Sequence, residues 1–171
     1  MDALARGEPP VRDFERNPLH AQQYVALLGG RVESGPAFTF PEVIPPPRDI
    51  IAIDHHVPLE RHFRGWTEQE VRERAPILAV IEDGYAVSVC FCARLSTEAA
   101  EAGLETAEPF RGRGLAPRVT AAWALAIRAS GRFPLYSTSW TNGASLAVAR
   151  KLGLNTCAFD WNVYGDEALT N

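Results

Sequence analysis

The run Glu105-Thr106-Ala107-Glu108-Pro109-Phe110-Arg111-Gly112-Arg113-Gly114-Leu115-Ala116 has the residue types to hold an anionic ligand. Gly112 and Gly114 let the backbone approach a ligand closely and can supply positive φ. Arg111 and Arg113 carry forked donors that match phosphate oxygens. A β-type segment leads into the run and a long apolar helix leaves it. The helix's unpaired first-turn N–H groups and its dipole add to the attraction for anions. The combination reads as a pyrophosphate cradle, against the plainer alternative of a Gly-rich turn that binds nothing.

Two phosphate loops do not fit. A Walker loop needs G-x-x-x-x-G-K-[ST], and no such run occurs. The dinucleotide fingerprint G-x-G-x-x-G begins with Gly112 and Gly114 but meets Pro117 at its third glycine. No acidic residue ends the next strand, Leu135 to Trp140, to hold a ribose. What fits is R-x-x-G-x-A, from Arg111 through Gly114 to Ala116.

The elements around this loop must position it. Pro117 suits a first helical position, where its missing N–H costs little. Val119, Ala122, Trp123, Ala126 and Ile127 recur at helical spacing, and Gly131 stops the helix. Pro134 to Trp140 reads as a strand. Asn142 offers an N-cap to a second helix through Leu146, Ala149, Arg150 and Leu152, ended by Gly153.

This order of loop, helix, strand, Asn and helix resembles the acetyl-CoA half of the GNAT N-acetyltransferase superfamily. That loop is written [RQ]-x-x-G-x-[GA], and Lys151-Leu152-Gly153-Leu154 matches the superfamily's K-x-G-[FL] ending. The resemblance covers about residues 76 to 164. It implies an α/β fold of the acyl-CoA N-acyltransferase type, with a mixed, mostly antiparallel sheet and helices on both faces. It also implies acetyl-CoA as cofactor and acetyl transfer to a small-molecule or peptide amine by direct attack. The diphosphate would lie on the backbone of Gly112, Gly114, Leu115 and Ala116, with Arg111 and Arg113 beside it. Leu104 and Thr106 would pair with the pantetheine arm, and an N–H near Thr106 would polarise the acetyl carbonyl. Asn142 and Ser145 would touch the pantetheine, although Asn142 reads equally well as a plain cap. The rival reading is a non-catalytic CoA-binding or regulatory domain; a nucleotide-binding module is a second.

An amine with a pKa of about 10 is mostly protonated at neutral pH and must lose a proton. Glu101, Gly103 and Glu105 share one face of any regular strand. Glu105 is the first choice for general base and Glu101 the second, while solvated surface charge explains either equally well. The superfamily's usual acid, a tyrosine, falls on Ala149 here. A thiol pKa of about 8.5 lets the thiolate leave without full protonation. Tyr136, Ser137 and Ser139 on the neighbouring strand are alternative donors, with Ser137 taken as the site residue. His55 and His56 are adjacent and point apart on an extended chain, so with His62 they read as structural or surface histidines rather than a metal site, with a role in the acceptor pocket as the alternative.

The 171 residues fit one domain, and 46% hydrophobic with 22% charged residues is ordinary globular composition. Residues 76–171 form the expected acetyl-CoA core. Residues 1–75 match no pattern and are expected to pack on that core and shape the acceptor side. Within them, Leu19 to Leu28 reads as a helix closed by Gly29-Gly30, and Phe38 to Phe40 is too short to assign. Pro45 to Pro47 reads as a stiff connector and Ile50 to Ile53 as a short strand. Leu59 to Arg74 reads as helical, divided by a capping box at Thr67 and Glu70. Strands follow at 77–81 and 86–91, joined by a hairpin turn. Leu95 to Glu101 reads as a connector, Gly103 to Ala107 as the strand feeding the loop, and Trp161 to Tyr164 as a last strand.

Net charge is −4, with 17 basic and 21 acidic residues and no basic cluster, which excludes a nucleic-acid surface. Cys90, Cys92 and Cys157 are odd in number, and Cys90 and Cys92 share a strand face as small buried hydrophobes. Met1 to Pro10 is polar and lacks an apolar leader, and no stretch approaches a membrane span. A reduced, cytoplasmic protein is expected. The sequence leaves a homodimer open.

Overall fold

The computed structural model describes residues 2–9 and 17–165. The polar stretch Met1 to Pro10 lies partly outside these. The described chain starts with α1 (Asp2–Arg6), α2 (Ala21–Leu28), β1 (Arg31–Thr39), β2 (Ile51–Ile53) and α3 (Glu68–Glu73). It continues through β3 (Ile77–Glu82), β4 (Tyr85–Leu95), β5 (Ala99–Thr106), α4 (Leu115–Ala129), β6 (Phe133–Ser137), α5 (Gly143–Lys151) and β7 (Asn155–Tyr164). All seven strands form one sheet in the order β2-β3-β4-β5-β6-β1-β7. Only the β5–β6 pair is parallel, as a strand–helix–strand connection through α4 requires.

Local chemistry explains most boundaries. Asp83 and Gly84 take positive φ (50° and 81°), the twist that a tight hairpin between β3 and β4 demands. Thr67 Oγ1 accepts from the Glu70 amide at 3.2 Å, and the Thr67 amide donates to Glu70 Oε2 at 2.9 Å. That capping box starts α3 and separates it from the single turn Val57–Leu59, so the Leu59–Arg74 stretch is divided as its residues foretell. Asn142 Oδ1 accepts from the Ser145 amide at 3.0 Å and starts α5.

Three expectations need correction. β1 is a nine-residue strand where only Phe38 to Phe40 drew notice. Gly35 and Pro36 at its middle hide it, because both weaken a strand. A Cβ on Gly35 would lie 1.8 Å from the Thr138 carbonyl oxygen, so only glycine lets β1 come this close. Thr138 donates to the Pro36 carbonyl, so the edge of Pro36 that lacks an N–H faces β6, where the β1–β6 pairing ends at Ala37. Second, the Leu95–Glu101 connector shrinks to three residues, because β4 runs on to Leu95 and β5 begins at Ala99. Third, α4 begins at Leu115, two residues before Pro117.

The core has two sides. Val119, Trp123 and Ile127 of α4 cover one face of the sheet, packing with Val87, Cys90 and Cys92. Leu59, Phe63 and Val71 cover the other, packing on Ile77, Ala79, Val89 and Phe91. Each such fully buried aliphatic side chain contributes about 1.5–3 kcal/mol. Burial raises the Cys90 thiol well above its ordinary range and raises the Cys92 thiol too, as befits inert core residues. The Pro45–Pro47 connector runs beside α4: Arg128 donates to the Phe40, Pro41 and Glu42 carbonyls, and Arg118 to that of Arg48.

Candidate active site

Strands β5 and β6 start together and then part. Their pairing covers only Ala99↔Phe133, Ala100↔Pro134 and Glu101↔Leu135. Beyond Glu101, β5 stays on β4 while β6 turns to β1. The Ala107 amide donates to the Val87 carbonyl on β4 at 3.0 Å. Backbone direction alternates along a strand, so Glu105 and Gly103 also face β4. Leu104 and Thr106 therefore turn their main-chain groups into the gap.

Two cavities meet at this gap, and Leu104, Asn142 and Ser145 line both. The larger, about 720 Å³, runs along the loop and the start of α4. Gly112, Gly114, Leu115 and Ala116 line it together with Arg111 and Thr106. Gly112 and Gly114 take φ of 76° and 73°, and no protein atom lies within 4 Å of a Cβ placed on either. Gly114 is the N-cap of α4 and supplies no side-chain cap. Among the described residues, the amides of Gly114, Leu115 and Ala116 donate to no protein acceptor. A helix start left open in this way attracts anions.

The two loop arginines differ. Arg111 lines the cavity and anchors itself through Nε to the Thr106 carbonyl at 3.1 Å. Arg113 is turned away from that cavity, contrary to the expected pairing of both with phosphate. Its guanidinium grips Glu82 at 2.6 and 3.2 Å and lies over the Phe110 ring. Lys151, at the end of α5, lines the cavity instead and supplies a second cation. The K-x-G pattern singled out Lys151 only as part of a helix ending. His62 also lines this cavity, its ring edge-on to Phe110 at 5.3 Å. The neighbouring His56 stands apart, held between Glu60 (2.9 Å) and Glu68 (2.5 Å).

The candidate acid–base groups divide between the cavities. Glu105 lines the larger one. Burial of its flank pushes the carboxyl above the ordinary carboxylate value, and Arg74 partly opposes this. Glu101 lines the smaller cavity, about 410 Å³, together with Ser137. Ser137 Oγ donates to Glu101 Oε1 at 2.8 Å, and Arg94 donates to the same oxygen at 3.0 Å. Ala149, the position where the superfamily carries its usual acid, is buried in the core. Tyr136 presents the nearest phenol: its hydroxyl pairs with Ser145 Oγ at 2.5 Å, and burial keeps it protonated above its ordinary range. Glu33, Ser34 and Gly35 of β1 and Asp160 of β7 also line the smaller cavity, although nothing in their spacing gave them a role.

A parted β5–β6 pair, an open helix start and a chamber on either side together define an α/β fold with a ligand cleft between two strands of its sheet. The sequence model of the GNAT acetyltransferase family matches residues 69–164. The chain belongs to that family.

Solved structures of the same fold include a protein assigned to the family as an acetyltransferase, from Novosphingobium aromaticivorans. It is 22% identical, with a TM-score of 0.62 over 77% of this chain and 63% of that one. A GCN5-related N-acetyltransferase-like protein from Streptococcus suis is 20% identical, with a TM-score of 0.60 over 82% and 65%. A GNAT-family acetyltransferase from Colwellia psychrerythraea is 17% identical, with a TM-score of 0.61 over 84% and 60%. The chain thus spans less than two thirds of the length of these structures. A search of curated proteins finds no match.

Proposed function

We propose that this protein is an acetyl-CoA-dependent N-acetyltransferase. The observation that carries the reading is the gap past Glu101, where Leu104 borders both chambers and Thr106 borders the larger one, with main-chain groups turned away from β4. The larger chamber suits the coenzyme: two left-handed glycines leave room for a diphosphate, and Arg111 and Lys151 balance its charge. When bound, the coenzyme supplies an activated acetyl thioester.

The chain's own residues do the rest. Leu104 and Thr106 would hold the arm as an added strand is held, and the Thr106 amide would polarise the acetyl carbonyl. An amine entering from the smaller chamber arrives as ammonium. Glu105 takes one proton from it, through water, and Glu101 is the second candidate. The nitrogen then bonds to the acetyl carbon as the C–S bond breaks, and its remaining excess proton balances the departing thiolate. Ser137, or Ser145 backed by Tyr136, stands where it can pass that proton on. Glu33, Ser34 and Gly35 give residues 1–75 a share in the acceptor side.

Calorimetry with acetyl-CoA, ATP and NAD, followed by thiol release across an amine panel, tests the reading. Tight acetyl-CoA binding with turnover is expected. Binding without turnover on any amine would favour a CoA-sensing domain, and equal binding of ATP or NAD would sink the cofactor assignment.

A further inference from the structure

The smaller chamber carries information about the acceptor, and this inference rests on the N-acetyltransferase reading above. Its charged lining is Glu33, Glu101, Asp160 and Arg94, a formal sum of −2. Nearly all the rest is hydroxyl or amide, and Ala102 and Leu104 are its only aliphatic side chains among the described residues.

Arg94 shows what the carboxylates accept. β4 and β5 slip register between Cys92 and Arg94, so Arg94 stands opposite Glu101. Without that extra residue, alternation would turn Arg94 to the α4 face; the bulge aims it into the chamber. There one nitrogen of its guanidinium bridges Glu101 at 3.0 Å and Asp160 at 3.1 Å. Asp160 belongs to β7, three strands beyond β5 in the sheet order, so the bridge closes over the concave side of a curled sheet. The Arg94 side chain is 61% exposed while Glu101 and Asp160 are 20% and 28% exposed, so the carboxylates are fixed in the chamber wall and the arginine is the partner open to solvent and to exchange. Glu33 is occupied by Arg31. The chamber therefore contains a ready-made seat for one cation, filled by a side chain that is free to leave.

We propose that the acceptor is a hydroxyl-bearing amine without a carboxylate of its own, of the amino-sugar class, whose ammonium replaces Arg94 between Glu101 and Asp160. The hydroxyls of Ser34, Thr138 and Ser139 match a polyol's donors and acceptors. An amino acid would bring a carboxylate into a chamber that is already negative. An arylalkylamine would find little apolar wall beyond Ala102, Leu104 and the rings of Tyr136 and Tyr164.

The test measures thiol release at saturating acetyl-CoA with glucosamine, spermidine, phenethylamine and glycine. kcat/KM for glucosamine is expected to exceed each of the others at least tenfold. Asp160→Asn should raise the glucosamine KM at least fivefold, and Arg94→Ala, which removes the competing cation, should lower it. Both variants should keep wild-type acetyl-CoA affinity by calorimetry, which separates a lost acceptor seat from a lost fold. A preference for any of the other three amines, no turnover on any of them despite acetyl-CoA binding, or a glucosamine KM that neither variant moves overturns the proposal. Failure of the wild type to bind acetyl-CoA overturns the underlying reading as well.

Discussion

Gly114→Trp separates the role of the loop from its stability. Gly114 caps α4 with φ 73° and ψ 17°, a left-handed conformation. A side chain held there costs about 1–2 kcal/mol. In a chain of this size that lowers Tm by about 2–8 °C. No protein atom outside the adjoining backbone lies within 4 Å of the new Cβ, so the side chain leaves the main chain without a clash, at a residue that lines the space read as the diphosphate seat. Affinity for acetyl-CoA should fall at least about 100-fold, equivalent to about 2.7 kcal/mol. Gly131→Trp is the matched control. Gly131 has φ 80° and an equally open Cβ position, but follows the far end of α4, roughly 25 Å along the helix axis. It should show the same drop in Tm with unchanged affinity. Scanning calorimetry and isothermal titration read the two effects separately. A folded Gly114→Trp protein that binds acetyl-CoA within threefold of wild type would refute the loop assignment, and so would equal loss in Gly131→Trp.

Three other perturbations follow from the same geometry. Glu105→Gln should lower kcat by about 10²-fold or more and remove the acid limb of the pH–rate profile, a limb lying above the usual carboxylate range because burial raises this group; an unchanged profile excludes Glu105 as base. Gly35→Ala should cost about 1–3 kcal/mol or more in chemical denaturation, because its Cβ meets main chain at 1.8 Å; a neutral result would mean that β1 does not approach Thr138 so closely. The hydrogen bond to Glu68, with the Glu68 and Glu60 charges, raises the His56 pKa over its burial. Its stabilising contribution is thus complete below the unfolded value of about 6.5 and fades as pH rises through the higher folded value. The Tm gap between wild type and His56→Gln should be widest in acid and narrow above neutrality, and a gap that does not vary with pH rules out the linkage.

The loop and the two helix starts were legible because each depends on a few adjacent residues. R-x-x-G-x-A, the Thr67–Glu70 box and Asn142 act within one turn of chain, and so did the hairpin at Asp83-Gly84. Long-range geometry was not legible. Nothing in Arg113 foretells that Glu82, 31 positions earlier, captures its guanidinium. Lys151 reaches the larger chamber only because α5 ends beside the loop. Asp160 gains its role from a sheet that curls until β7 faces Arg94. The Gly35-Pro36 pair did carry a signal, since a glycine within a strand often marks close approach of another backbone. It became readable only with Thr138 in view.

The position of β1 has a consequence for how the chain assembles. Its partners at Leu135 and Asn155 emerge about a hundred residues after Thr39 is made, so this strand waits unpaired until they appear. β7 in turn pairs with a strand that lies more than about a hundred residues earlier in the chain. Closing so distant a contact is entropically expensive and slow. A fragment confined to residues 69–164 would lack the strand that lies between β6 and β7, and should aggregate where the longer chain folds.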